Sequence, residues 1–303
     1  MKTFYSNGKL LITGEYVVLD GALSLAVPTK FGQSLTVAPI DEPKISWKSI
    51  NSDGSVWFEN TFTFNEIASG FLNVQNDVST RIIQILTAAK TLNPKFLNTE
   101  HGYNISTHLT FPKNWGLGTS STLINNLAQW ANVDAFKLLE KTFGGSGYDI
   151  ACAQNNAPIS YQLFANKAVV NKVEFNPEFK NHLYFVYLNK KQNSRDGISS
   201  YHAKKHHIEN AISEINAITN KIIGCKNLKD FEFLITRHEH IISEIIKQKT
   251  VKALLFDDFN GSIKSLGAWG GDFVIVASAE NPTYYFKNKG FDIVIPYDDM
   301  VLF

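Results

Sequence analysis

The sequence predicts an α/β protein built as two mixed layers. Three observations carry this. Segments alternating at period two give way to segments with apolar residues three or four apart, and that order is met twice along the chain. A strong strand at 183–188 opens the second round, after a hairpin-like pair at 159–164 and 168–173. At 303 residues the chain is long enough for two domains with separate cores, so a boundary falls between about 172 and 182, giving domains 1–175 and 176–303.

Taken in order, 10–12 and 16–19 are short apolar runs broken by Gly14, and Asp20-Gly21 is a hairpin signal. Lys9 and Glu15 are charges among strand-forming residues, so they lie either on a solvated strand face or at a site. Residues 34–37, 44–47, 56–58 and 62–64 read as strands, separated by turns at 41–43 and 52–54. Val78, Ile82, Ile85, Leu86 and Ala89 mark a helix over 76–89. A strand at 103–111 leads into Asn114-Trp115-Gly116-Leu117-Gly118-Thr119-Ser120-Ser121-Thr122, and a helix begins near Ser120. Asp134 caps a short helix to 142, which delivers the chain to Gly147-Tyr148-Asp149-Ile150-Ala151. Two long amphipathic helices are expected at 199–223 and 228–248, with Ile208, Ile212, Ile215, Ile222 and Ile223 on a core face. Residues 256–263 form a loop or short helix, then come a glycine-rich turn at 266–272, a buried strand at 273–277, a helix at 284–287 and a closing strand at 292–295.

The bend at 114–122 organises the rest. Two glycines at a strand-to-helix turn let the backbone approach a ligand, and the hydroxyls of residues 119–122 stand where N-caps stand. The stretch is an anion site in outline, with phosphate the expected anion, or else a serine-capped turn. It is not a Walker A loop, because no Gly-Lys-Ser/Thr closes it.

Lys+Arg 29 against Asp+Glu 28 leaves a net charge of +1, so nothing asks for nucleic acid or an anionic membrane as partner. Cys152 and Cys225 form no Cys-x-x-Cys pair, which fits a reducing compartment and argues against a disulfide framework or a thiolate zinc site. No apolar run approaches the roughly 18 residues of a membrane span, and no signal-peptide pattern follows Met1. The expectation is a soluble cytoplasmic enzyme, monomer or homodimer, whose partner is a small molecule.

Three stretches together resemble the signature motifs of the GHMP kinases, the galactokinase, homoserine, mevalonate and phosphomevalonate kinase superfamily. They are Asn7-Gly8-Lys9 through Gly14-Glu15 to Gly21, then Gly116 to Ser121, then Gly267-Ala268-Trp269-Gly270-Gly271. Gly147 to Ala151 is similar to the string that names the GYDIA-type branch, and Asp272 resembles the aspartate that closes the phosphomevalonate kinase variant. The resemblance implies a ribosomal-protein-S5-like amino-terminal domain, a ferredoxin-like carboxy-terminal domain and a cleft that binds ATP and Mg²⁺. On this resemblance Asn114, Gly116, Leu117, Gly118, Thr119, Ser120 and Ser121 wrap the ATP phosphates, and Ser120 helps hold the metal. Asp149 is the catalytic aspartate, Lys9 the lysine beside the acceptor hydroxyl, and Glu140 a further magnesium carboxylate. Glu15, Gly147, Arg195, Gly267, Ala268 and Trp269 are placed with the acceptor.

These residue types suit phosphoryl transfer, which needs a phosphate clamp, a cation and an oriented nucleophile. Asp149 could take a hydroxyl proton, or serve only as an Asx-turn acid. The chain departs from the family at Thr119, at Ser121 and above all at Trp269, where glycine is usual and where a ring would shape or stack on the acceptor pocket. The histidines at 202, 206, 207, 238 and 240 read as solvated helix faces, with a metal site the alternative. Lys190, Lys191, Ser194 and Arg195 form a surface loop or an anion contact. The function expected is ATP-dependent phosphorylation of a small anionic metabolite, phosphomevalonate first and mevalonate second. Homoserine and sugars are further acceptors, and the rivals are a diphosphomevalonate decarboxylase and a silent ATP-binding homologue. The decarboxylase is disfavoured because its Asn-Ile-Ala-x-x-Lys-Tyr-Trp-Gly-Lys entry stretch is absent.

Overall fold

The opening forty residues, read as short apolar runs at 10–12 and 16–19 and a strand at 34–37, form two longer strands in the computed structural model, β1 (Lys2–Leu11) and the 17-residue β2 (Ser24–Ile40). Between them Val17–Asp20 is a 3₁₀ turn, because Tyr16 and Gly21 both take positive φ and break the extended run. Residues 1–71, 76–165, 167–192 and 194–303 are described, with Ser194 and Arg195 in backbone only. The chain divides into two units interleaved in sequence. The first comprises Met1–Gly8, Phe31–Lys113 and Leu117–Gln154; the second comprises Lys9–Lys30, Asn114–Gly116 and Asn155–Phe303.

In the first unit β3 (Lys44–Ile50), β4 (Val56–Thr63) and β5 (Gly102–Leu109) join β2 in the order β4-β3-β5-β2. β3 and β5 run parallel, with Ile45 opposite Tyr103, while β4 and β2 are antiparallel to their neighbours. Among the described residues five helices cover the sheet: α1 (Phe64–Ser69), α2 (Asp77–Leu92), α3 (Thr119–Ala131), α4 (Ala135–Thr142) and α5 (Tyr148–Gln154). Ile82, Ile85, Leu86 and Ala89 of α2 pack on Trp47, Phe62 and Ile105 of the sheet layer, one turn above another as their spacing requires. Asn76 and Asp134 cap α2 and α4 through their side chains. Phe64, expected to end a strand, instead opens α1. Thr63 and Glu66 form a reciprocal capping box, and that pair stops β4.

In the second unit the first residues of β2 pair with β6 (Ile159–Phe164), which forms a hairpin with β7 (Lys167–Lys172). A separate antiparallel sheet has β8 (Leu183–Tyr187), β9 (Ser262–Ser265), β10 (Phe273–Ala277) and β11 (Val294–Pro296) in the order β11-β8-β10-β9. All five residues of β10 are buried. The helices are α6 (Ser194–Lys204), α7 (Glu209–Ile223), α8 (Leu228–Ile246), α9 (Val251–Leu255), α10 (Thr283–Asn288) and α11 (Tyr297–Met300). The helix expected over 199–223 is therefore two. Tyr201 and Lys205 hydrogen-bond Asp20 while Lys204 Nζ reaches Ile246 O at 3.1 Å, and His207 turns left-handed at φ 48° before α7 starts. Among the described residues no helix is long and apolar enough to cross a membrane.

Candidate functional site

In the first unit the residues around the start of α3 are organised by buried amides. Thr122, Asn125 and Asn126 lie three and four apart on one face. Asn126 Nδ2 donates to Gln33 O at 2.9 Å, Asn125 Nδ2 to Ser6 Oγ at 2.8 Å, and Thr122 Oγ1 to Gln33 Oε1 at 2.7 Å. This fixes where the helix begins. The N-cap is Gly118, held at φ 95°, and no side chain caps the helix. The hydroxyls expected as caps point elsewhere: Ser121 Oγ and Thr122 Oγ1 donate to Gly118 O at 2.9 and 3.0 Å. The first-turn N–H groups are thus left without a side-chain cap at the positive end of a 13-residue helix. Ser120 is exposed, Thr119 half-buried, and Leu117 fully buried beside the bend. Asp149 sits in the first turn of α5, after buried Gly147 at φ 85°, and its Oδ1 accepts the Ile150 N–H at 3.0 Å. Ile150, Ala151, Cys152 and Ala153 are buried, which anchors that short helix. Glu140 is exposed on α4.

Residues 114–116 belong to the second unit. Tyr187 Oη donates to Asn114 O at 3.1 Å, and the Trp115 ring stands edge-on to Phe273 at 5.4 Å. Lys9 Nζ donates to Gly116 O at 3.0 Å. A Cβ on Gly116 would lie 2.3 Å from Asp272 Cγ, so the space expected for a ligand's approach at this glycine is filled by an internal carboxyl group. Burial raises the Asp272 carboxyl, and the Lys9 charge works against that rise.

The second unit also holds a dry cluster of four ionisable side chains: Glu15, His238, Glu239 and Lys264 are each at most 2% exposed. Glu15 is therefore not on a solvated strand face, and His238 is not on a solvated helix face. Lys264 Nζ bonds Glu15 Oε1 and also Ser265 O at 2.8 Å. Gly14 N–H donates to His238 Nε2 at 2.8 Å, so the proton of the neutral ring is on Nδ1. Ser265 N–H and Oγ both donate to Glu239, at 3.1 and 2.8 Å. Burial pushes Glu15 and Glu239 up to about 7, partly opposed by Lys264, and it drives His238 well below its usual range.

Both carboxyls are raised from the ordinary 4.5, so protonation stabilises the fold. That contribution is whole below about pH 4.5 and fades as pH rises through about 7. Glu239→Gln keeps a partner for Ser265 N–H and another for its hydroxyl while removing one titrating group. The melting temperature of the variant relative to the parent should rise by a few degrees between pH 5 and pH 8. A pH-independent difference would remove Glu239 from the titrating set.

Trp269 is 5% exposed, and its N–H backbone group donates to Tyr16 Oη at 3.1 Å. The ring is thus packed away and not offered as a stacking face. Its Nε1, like Glu15 Oε2 and His238 Nδ1, has no hydrogen-bond partner among the described residues. Gly267, at φ 72°, borders open space.

No family model matches the sequence, and no curated protein matches it. Solved structures do. A Methanococcus jannaschii mevalonate kinase is similar over 100% of this chain and 98% of its own, at 18% identity and a TM-score of 0.73. A Streptococcus pneumoniae phosphomevalonate kinase, in complex with phosphomevalonate and AMPPNP, covers 100% and 98% at 16% identity and a TM-score of 0.70. A Lactococcus lactis galactokinase complexed with galactose covers 95% and 88% at 13% identity and a TM-score of 0.64. The fold is that of the GHMP kinases.

On this GHMP-kinase fold the candidate residues divide between the units. Leu117, Gly118, Thr119, Ser120, Ser121, Glu140, Gly147 and Asp149 lie in the first; Lys9, Glu15, Asn114, Gly116, Gly267, Ala268 and Trp269 lie in the second. Among the latter, Lys9 and Gly116 are in direct contact, whereas Glu15 is tied into the buried cluster. The Arg195 side chain lies outside the described residues. Among the described residues no group of three or more His, Cys, Asp or Glu side chains gathers as a metal cage. Sequence reasoning missed Lys264 and Glu239. The signal available was a lysine inside the strand-like Ser262-Ile263-Lys264-Ser265, the same anomaly that drew notice to Glu15.

Proposed function

We propose that the chain is an ATP- and Mg²⁺-dependent kinase that transfers the γ-phosphoryl group to a small anionic metabolite, with phosphomevalonate the favoured acceptor. The observation that supports this most is the start of α3, where a glycine N-cap and first-turn N–H groups without a side-chain cap make a site for phosphate oxygens. The fold is shared with kinases of mevalonate, phosphomevalonate and galactose, which makes a nucleotide's phosphates the natural occupant. Asp149 favours the second reading, mevalonate or another alcohol, because a phosphate nucleophile needs no base whereas a hydroxyl does. In that reaction the acceptor oxygen attacks the γ-phosphorus, its proton passes to the Asp149 carboxylate, and ADP leaves. The resemblance assigns Lys9 to the acceptor, and within the second unit its ammonium donates to Gly116 O at 3.0 Å.

Mg²⁺ fits the donors present. The exposed Ser120 hydroxyl and Glu140 carboxylate, both in the first unit, are hard oxygens of the kind Mg²⁺ takes alongside waters and phosphate oxygens. When bound, it would spread the charge of the phosphates.

The purified chain, given ATP, Mg²⁺ and in turn phosphomevalonate, mevalonate, homoserine and sugars, should add one phosphoryl mass to one of the first two. Product from a sugar alone would replace the acceptor. No product with any of them, but tight binding of a non-hydrolysable ATP analogue, would point to the silent homologue.

A further inference from the structure

We infer that Asp272 is a positioning residue, which sets Lys9 and the 114–116 segment in place by packing on Gly116, whose carbonyl Lys9 binds. Five interactions, all within the second unit, support this. The carboxyl group packs so closely on Gly116 that a Cβ there would fall 2.3–2.6 Å from all three of its atoms. Its Oδ1 accepts the Gln192 N–H at 3.2 Å, and its own N–H donates to Lys190 O at 2.7 Å. Its carbonyl accepts the Leu188 N–H at 2.8 Å, which continues the β8–β10 pairing into the turn. Lys9, whose ammonium binds the carbonyl of that same Gly116, attracts the carboxylate electrostatically.

The backbone is bent to allow this. Asp272 holds φ 54°, a left-handed value that strains a non-glycine residue, and the residue before it is glycine. A glycine at 272 would relax that strain but lose the carboxyl's packing on Gly116 and its bond from Gln192 N–H. Trp115, seated edge-on to Phe273, adds a further contact between the bend and the strand after Asp272. Asp272 therefore joins the turn of the third motif to the lysine of the first and the leading glycine of the second.

The catalytic consequence rests on the kinase reading; the placement of Lys9 does not. Asp272→Asn keeps size and the acceptor for Gln192 N–H but removes the charge. Labelling by an amine-reactive reagent, read by mass spectrometry, should increase at Lys9 by about fivefold or more, with lysines other than Lys191, whose charge Asp272 also feels, unchanged. Asp272→Gly, which suits the left-handed backbone, should give the same rise and guards against a variant that fails to fold. On the turnover side, Asp272→Asn should lower kcat about tenfold or more, while KM for ATP stays within about threefold. In a Lys9→Met background it should add no further loss. Unchanged Lys9 labelling in both variants overturns the proposal, as does a full additional loss of kcat on top of Lys9→Met. If the parent forms no product with any acceptor, the kinase reading fails, and the labelling contrast alone still decides the role of Asp272.

Discussion

Asp149→Asn should reduce phosphoryl transfer to a hydroxyl acceptor by about 10²–10⁴-fold, the range in which a positioned general base contributes. That corresponds to roughly 3–5 kcal/mol of the barrier. The substitution is mild for the fold. Asparagine keeps an oxygen for the Ile150 N–H, and the buried run Ile150 to Ala153 anchors α5. Binding of an ATP analogue, measured by calorimetry, should therefore stay within about threefold of the parent. A large fall in kcat with unchanged analogue affinity would assign the proton transfer to Asp149. A variant as fast as the parent on mevalonate would remove the base. If the working acceptor is a phosphate, its oxygen is already ionised and the loss should be small.

Lys264→Met should be strongly destabilising. The ammonium is fully buried on β9, bonded to Glu15 and to Ser265 O, with Glu239 as a second carboxyl neighbour. Removing one partner of a buried ion pair leaves a charge without compensation, at a cost of about 3–5 kcal/mol. The midpoint of chemical denaturation at pH 8 should fall accordingly. The loss should shrink at pH 5, because both carboxyls are raised towards 7 and can be neutral there without the lysine. Adding Glu15→Gln to Lys264→Met should recover part of the stability at pH 8. Equal losses at both pH values, with no recovery in the double variant, would show that packing of the lysine chain and not its charge is what matters.

Some of this was legible in the sequence and some was not, for identifiable physical reasons. Elements whose stability is local were readable. α2 carries both its apolar stripe and its Asn76 cap, and the 159–172 hairpin carries its own alternation. The start of α3 was placed within one residue because two glycines and a run of hydroxyls announce a strand-to-helix turn. What the hydroxyls do was not readable. Thr122 turns to Gln33, 89 positions away in the chain, and nothing local selects that partner over a neighbouring N–H group. The break between α6 and α7 was hidden in the same way, since it depends on Asp20 drawing Tyr201 and Lys205 to the amino-terminal part of the chain. Lys9 and Glu15 looked alike as misplaced charges and have different fates. Lys9 reaches a backbone carbonyl of the glycine bend; Glu15 is sealed against a lysine 249 residues on. Trp269 at a glycine position suggested a ring offered to a ligand, whereas its 5% exposure makes it a packing residue.

The interleaving of the two units has a consequence for any attempt to take the molecule apart. A fragment ending at Gln154 would contain every residue of the first unit, yet it would also carry residues 9–30 stripped of Ile159, Ser160 and Tyr161, the rungs on which Ala26, Leu25 and Ser24 are hung. The complementary fragment would lack Lys9 and the short 114–116 insertion, along with the neighbours they supply to Asp272. Neither half is a module that could be transplanted or expressed by a single cut, so shuffling within this architecture must act on the whole chain or on its loops.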